Sequence, residues 1–235
     1  MKKCVILLFV IFMLTGCDVK YELYYKNADK VLENVEVSFV NSNALLYADS
    51  IEDYASDMFY GWKSSYNLKN YKYRLSLGKD ISSINVSKTH NSLESVLQNN
   101  AFSSFFKNTN VYAQGDSTVL VFSEYVYAIK NDGEEIYLES DEESSNLYVT
   151  VKSNYKLESN ADEKNEVTGI HKWVFTPEDI DKTLRISFSD DFNFTAYLYN
   201  LNSIVWVVLA LVIAGVVILI VYMIIKKKSI NVNKL

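Results

Sequence analysis

Alternation of apolar and polar positions organises much of the chain. Val35, Val37 and Phe39 alternate with Glu36 and Ser38; Tyr71, Tyr73, Leu75 and Leu77 alternate with Lys72, Arg74 and Ser76; Leu184, Ile186 and Phe188 alternate with Arg185 and Ser187. Period two predicts strands with one face in a core and the other in water. Thr118 to Ile129 differs: Val119, Val121, Tyr125 and Tyr127 line one face, and Leu120, Phe122 and Val126 line the other. This strand is expected to be central and covered on both sides. Asn131-Asp132-Gly133 follows it with residues that tolerate positive φ, the requirement of a tight hairpin, returning through Glu134 to Glu139. Leu147, Val149 and Val151 predict one more strand.

Helical spacing appears where strand spacing lapses. Ile51, Tyr54, Ala55, Met58, Phe59 and Trp62 fall on one face of a helix, with Glu52, Asp53, Ser56 and Asp57 opposite. Ser50 and Asp53 form a capping-box pattern at its start, and Gly61 is expected to end it. Leu93, Val96, Leu97 and Ala101 predict a second, shorter helix, with a continuation to Phe105 and Phe106. Gly61, Gly78, Gly115, Gly133 and Gly169 all fall at proposed joints. These signals together predict an α+β fold: one mainly antiparallel sheet with about two helices packed on a face.

Both ends of the chain carry a different pattern. Lys2 and Lys3 precede an apolar run from Cys4 to Leu14, too short for the ~20 residues of a spanning helix and right for a secretory signal peptide. Ile204 to Ile225 contains no charge and as a helix would measure roughly 33 Å, enough to cross a hydrocarbon layer of ~30 Å. Lys226, Lys227 and Lys228 follow at once, so the positive-inside rule places the tail in the cytoplasm. Trp206 and Tyr222 stand near the two ends of this segment, where amphipathic rings favour the headgroup layer. Phe192, Phe194, Tyr197 and Tyr199 lie shortly before it and are expected to form an aromatic belt on the headgroups. The chain thus divides into a signal peptide over 1–16, an extracytoplasmic domain over 17–202, a transmembrane helix over 203–225 and a basic cytoplasmic tail over 226–235.

Charge and cysteine content narrow the chemistry. The formal net charge is −6. Residues 1–17 and 204–235 hold six lysines and no acid, which leaves the segment between them at −12. Such a segment is repelled by phosphate backbones and by anionic lipid headgroups, and no nucleic acid is expected as a partner. Cys4 and Cys17 are the two cysteines, one within the signal peptide and one at its end. If Cys4 is removed with the signal peptide and Cys17 is consumed by the lipid that the resemblance given below implies, the domain keeps no free thiol and has neither disulfides nor thiolate chemistry. No metal site and no cofactor is expected: His90 and His171 lack partners at ligand spacing, and His171 beside Trp173 reads as a strand surface residue. Asp132 to Glu143 holds seven acids but lacks the order of a calcium loop, so it reads as a solvated hairpin. No catalytic motif is found, although carboxylates on separate strands leave no local signature.

Leu14-Thr15-Gly16-Cys17 resembles the lipobox of bacterial lipoproteins at all four positions. The resemblance implies cleavage between Gly16 and Cys17 and transfer of diacylglycerol to the Cys17 thiol, with palmitate as a chain. The order of lipobox, strand Tyr21 to Tyr25, strand Val35 to Phe39, Asn160-Ala161-Asp162, Trp173-Val174-Phe175, Leu184 to Phe188, spanning helix and lysines resembles bacterial membrane lipoproteins with an LppM-type domain. It covers about 60 residues at the two ends of the domain, and Ala44 to Asn146 has no matching motif. The family brings no catalytic residues. The resemblance implies a cell-membrane location and a non-enzymatic domain that binds the bilayer, an envelope lipid or glycan, or a membrane protein. An extracytoplasmic hydrolase of envelope polymers, working through unlocated carboxylates, is the alternative. Because a spanning helix anchors permanently, the lipid's expected role is orientation, holding the first strand of the domain near the bilayer as well as its last.

Overall fold

In the computed structural model, the described residues are 18–65, 69–98, 100–101, 105–125, 128–131, 134–137, 146–176, 178–201 and 203–232. The signal peptide, Gly16 and Cys17 lie outside them, as do Asp132, Gly133 and most of the acidic run to Glu143. The strands are β1 (Val19–Asn27), β2 (Lys30–Val40), β3 (Lys72–Ser76), β4 (Ile81–His90), β5 (Phe106–Gln114), β6 (Ser117–Tyr125), β7 (Ala128–Asn131), β8 (Glu134–Tyr137), β9 (Leu147–Ser153), β10 (Tyr155–Ser159), β11 (Glu163–Asn165), β12 (Ile170–Phe175) and β13 (Leu184–Phe192). The helices are α1 (Asn41–Ala44), α2 (Ile51–Ser65), α3 (Leu93–Gln98), α4 (Phe194–Tyr199) and α5 (Ser203–Val232).

The fold is α+β and mostly strand, but it has two larger sheets where the alternation pattern predicted one. A seven-stranded sheet has the order β11-β12-β9-β1-β2-β4-β3, and a four-stranded sheet has the order β10-β13-β6-β5; β7 and β8 form a separate ribbon. The first sheet is mixed, because β1 pairs in parallel with β9, from Val19 opposite Leu147 to Tyr25 opposite Ser153. Period two reveals which residues face a core but says nothing of which strand lies alongside, so a pairing between segments this far apart in the chain leaves no local signal.

The five inner strands of the first sheet turn one set of side chains inward. Val19, Tyr21, Leu23 and Tyr25 of β1, Val35, Val37 and Phe39 of β2, Leu147, Val149 and Val151 of β9, and Trp173 and Phe175 of β12 are buried in one continuous core. The second sheet covers part of this face. Tyr25 meets Phe188 edge-on at 5.0 Å between ring centroids, and Phe175 lies 5.2 Å from both Phe106 and Tyr125. Helix α2 covers another part, with Tyr54 5.0 Å from Phe39 and Trp62 6.4 Å from Phe105. The opposite face of the sheet is wet and carries the ion pair of Lys20 with Glu36.

Local expectations fare unevenly. The capping box forms: the Ser50 hydroxyl accepts from the Asp53 amide at 3.0 Å and donates to the Asp53 carboxylate at 2.7 Å. Helix α2 does not stop at Gly61 but continues to Ser65, since burial of Trp62 against Phe105 outweighs the roughly 1 kcal/mol penalty of one interior glycine. Phe106 begins β5 rather than extending α3. In β3, an edge strand, Tyr73 and Leu77 are exposed, and only the preceding Tyr71 is buried. Strand β6 lies between β13 and β5 with Val119 and Leu120 both fully buried, and ends at Tyr125 after Glu124 takes a positive φ of 57°. The hairpin of β7 and β8 closes with Asn131 opposite Glu134.

Gly169 shows why a joint needs glycine. It has φ of 63°, and a Cβ there would come within 2.3 Å of the Ser153 carbonyl oxygen and 3.0 Å of the Ala196 Cβ. Its own carbonyl accepts from the Ser153 amide at 3.0 Å, tying β12 to the end of β9. Gly169→Ala is expected to lower unfolding free energy by about 1–3 kcal/mol, since backbone strain and a clash coincide; a urea titration followed by tryptophan fluorescence measures the loss.

Candidate functional site

A carboxylate sits inside the first sheet. Glu33 belongs to the inward series Val31, Glu33, Val35, Val37, Phe39, and its side chain has no solvent exposure. A buried carboxylate must be saturated with donors or lose its proton-free form. Glu33 accepts from the Ala101 amide at 2.8 Å on Oε1, while Oε2 meets the Tyr71 hydroxyl and lies 2.8 Å from His90 Nε2. Burial and the Glu33 charge together push the Tyr71 hydroxyl well above its usual range, so it stays a donor; Tyr21, beside the same carboxylate, is raised for the same reasons. Lys88 approaches from the rim, its amine 5.1 Å above the Tyr71 ring, and desolvation lowers its pKa against the pull of Glu33.

These contacts bind four separate pieces of chain: β2, β4, the residue before β3 and the segment after α3. Both oxygens are hydrogen-bonded, and the Glu33 and His90 side chains are buried among the described residues. The cluster is therefore a structural hub. Its signal was present in the sequence, because Glu33 falls in the same parity as Val35, Val37 and Phe39; His90 lies in β4, a strand whose Ser-rich pattern hid it.

His171 is buried, contrary to its expected place on a strand surface, because it shares the inward parity of Trp173 and Phe175. Its Nδ1 lies 2.7 Å from the Ser159 hydroxyl, which also accepts the Ala161 amide. A nucleophilic serine needs a base whose other nitrogen is held by a carboxylate or similar group. Here Nε2 is buried without a hydrogen-bond partner among the described residues. Burial, reinforced by Lys164, lowers the His171 pKa. Among the described residues no group of three or more His, Cys, Asp or Glu side chains could hold a metal ion.

The sequence-predicted aromatic residues gather at one end of the fold. Asn154, between β9 and β10, is the fastening point. Its amide donates to the Tyr25 carbonyl, its side chain accepts from the Tyr24 hydroxyl at 2.8 Å and donates to the Lys26 carbonyl, and its own carbonyl accepts from the Asn193 amide at 2.8 Å. Asn193 then caps α4 through its side chain, which accepts from the Ala196 amide at 3.0 Å. Asn200 closes α4 by donating to the Ala196 and Thr168 carbonyls. Rings step outward from the core along this root: Tyr25 to Tyr155 at 5.4 Å, Tyr155 to Phe192 at 5.5 Å, Phe192 to Tyr197 at 5.6 Å and Tyr197 to Phe194 at 6.5 Å. The inner rings are covered, while Phe192, Phe194, Tyr197 and Tyr199 are exposed.

Helix α5 follows with only Leu201 and Asn202 after Asn200, the C-cap of α4. Its stretch Val205–Met223 has mean hydropathy 3.1, and none of its described side chains is buried against the rest of the chain, unlike those of a core helix. By length and composition it can cross a membrane: 19 residues rise roughly 28 Å. Trp206 and Tyr222 are exposed on it, and Lys226, Lys227 and Lys228 fall within the same helix, beyond the residues whose side chains are described.

No family model and no curated protein matches the chain. Among solved structures it is similar to the folded domain of Mycobacterium tuberculosis LppM, determined by NMR, with 8% identity and a TM-score of 0.48 over 77% of this chain and 93% of that one.

Two measurements test the buried groups. Glu33→Ala strands the Ala101 amide and the Tyr71 hydroxyl in the core and is expected to cost about 3–5 kcal/mol in urea unfolding; Glu33→Gln, which keeps an acceptor, is expected to cost less. The lowered pKa of His171 means that the unfolded chain takes up a proton more readily than the fold below the ordinary value near 6.5. Stability therefore falls as pH drops from that value towards the lowered one, and His171→Asn is expected to flatten this part of the curve of urea midpoint against pH.

Proposed function

We propose that the protein is a membrane-anchored extracytoplasmic lipoprotein, with a non-enzymatic domain that binds an envelope lipid, glycan or membrane partner beside the bilayer. The observation that carries this reading is the root of α5: an uncovered apolar helix joined through two residues to a domain end studded with exposed rings. A domain on so short a tether stays at the membrane surface. Acids before the helix and Lys226, Lys227 and Lys228 after it favour an outward-facing domain and a cytoplasmic tail. Leu14-Thr15-Gly16-Cys17 supports signal cleavage before Cys17 and lipidation of its thiol. Phe192, Phe194, Tyr197, Tyr199 and Trp206 are placed by this reading in the outer headgroup layer, and Tyr222 near the inner one. Two features support binding over catalysis: the Glu33 carboxylate is fully buried and hydrogen-bonded, and His171 Nε2 has no hydrogen-bond partner among the described residues.

Mass spectrometry of the purified protein tests both halves. The mature chain is expected to begin at Cys17 with a diacylglycerol attached, and Cys17→Ser is expected to abolish lipid labelling and leave the precursor uncut. Normal processing of that variant removes the lipoprotein assignment. Organic extraction of the wild-type protein is expected to release a retained envelope lipid or glycan; an empty domain that turns over a cell-wall polymer assigns the protein to the hydrolases instead.

A further inference from the structure

The two proposed membrane attachments leave the fold at opposite ends of one strand. Strand β1 begins at Val19, and the Asp18 carbonyl accepts from the Ser38 amide at 3.3 Å, so the chain is already fixed one residue after Cys17. Consecutive Cα atoms are ~3.8 Å apart, which leaves Cys17 no linker with which to reach away from the sheet. The root of α5 is fastened instead at the far end of β1, where Asn154 bonds to Tyr25 and Lys26 and carries Asn193. From Val19 to Tyr25 a strand rises roughly 20 Å. With β1 upright on the membrane, α4 would touch the headgroups while the acyl chains on Cys17 hung that far out in water, which the hydrophobic effect opposes. Lengthening the link at Leu201 and Asn202 only raises the domain further.

The Cys17 end of the sheet carries its own apolar patch. Strand β2 leads from Val40 into α1 and then into Leu45, Leu46 and Tyr47, which are 53%, 74% and 40% exposed. The turn between β3 and β4 lies against this segment: the Asn41 amide donates to the Asp80 carbonyl at 2.9 Å, and its side chain donates to the Gly78 and Lys79 carbonyls. Leu77 and Ile81 flank that turn, both about 60% exposed. Ile81 pairs with Val40, and Ser38 on the same strand pairs with the chain at Asp18. The patch is thus roughly two strand spacings, ~10 Å, from the Cys17 attachment. Five exposed large apolar side chains at one end of a sheet mark a contact surface.

Resting on the lipoprotein reading, we propose that the domain lies lengthwise on the outer leaflet of its own membrane, β1 near-parallel to the bilayer. It touches down at both ends, through Phe192, Phe194, Tyr197 and Tyr199 beside α5 and through Leu45, Leu46, Tyr47, Leu77 and Ile81 beside the lipidated Cys17. The occupant of the second patch is the lipid headgroup layer.

The test is Leu46→Cys in the full-length protein. Processing removes Cys4 and consumes Cys17, so the new thiol is the one available to an environment-sensitive fluorophore. The labelled protein is reconstituted in phosphatidylethanolamine–phosphatidylglycerol vesicles and its Cys17 lipid is verified by mass spectrometry. The expected result is a blue-shifted emission, quenched more strongly by nitroxide-bearing lipid than by aqueous iodide. Emission typical of water, quenched mainly by iodide, in protein whose Cys17 carries lipid overturns the lengthwise orientation and leaves the lipoprotein reading intact. An unmodified Cys17 overturns the lipoprotein reading and the orientation with it.

Discussion

A carboxylate without access to water must be surrounded by donors, and the donors of Glu33 come from distant parts of the chain. The Ala101 amide, the Tyr71 hydroxyl and His90 all turn towards it, so the place of β2 in the sheet is coupled to that of β4 and of the segments around 71 and 101. An apolar residue at position 33 would fill the same space with less desolvation, and buried ionic groups are often no more stabilising than such replacements. What the carboxylate adds is selectivity. A register slip of one residue in β2 would turn Glu33 out to water and bring Leu32 and Asn34 inward, breaking every one of these bonds at once. The hub therefore fixes the half of the first sheet formed by β2, β4 and β3.

Asn154 plays the corresponding part at the other half. Its four hydrogen bonds join the end of β1, the turn between β9 and β10, and the cap of α4. Gly169 allows the start of β12 to pack against the same point, with Ala196 of α4 in contact. In the proposed membrane arrangement, force on α5 would therefore be delivered through α4 to the parallel pair β1 and β9, the centre of the larger sheet, rather than to an edge. A parallel pair at the centre gives the root rigid support on both sides, and the ring series from Tyr25 to Phe194 extends that support outward.

How much of this was legible depended on the range over which each signal acts. Alternation over five to ten residues exposed the inward faces of β2, β9 and β13 because burial is decided residue by residue along a strand. Ser50 with Asp53 exposed the start of α2 because a cap closes within three residues. The two-sheet division and the parallel pairing are settled by partners far along the chain, and no window of sequence contains them; the burial of His171 was legible in the parity it shares with Trp173 and Phe175. Strand β4 was hidden by Ser82, Ser83 and Ser87, small polar residues that fit a covered strand yet mimic a loop. Glu33 was legible in principle, as the one charged member of an apolar parity, but a charged residue is ordinarily assigned to the wet face. The aromatic residues from Phe192 to Tyr199 were picked out by proximity to the apolar helix; their physical continuity with the core through Tyr155 appears only once β10 is known to pair with β13.

If the proposed lipidation and membrane anchoring hold, the attachment geometry decides how strong the second membrane contact has to be in that arrangement. A free domain with five exposed apolar side chains would bind a bilayer weakly, since ordering and headgroup displacement offset much of the ~25 cal/mol per Å² gained by burial. Tethering through α5 changes the problem from capture to folding down, with an effective concentration of membrane in the millimolar range or above. Under that condition even a contact of millimolar intrinsic affinity is substantially occupied. A lipid on Cys17, marginal as a lone anchor, then acts on an already local equilibrium and shifts it strongly towards the lengthwise state. In the proposed arrangement α5 supplies permanence, Cys17 supplies direction, and the patch around Leu46 needs only to be apolar and correctly placed.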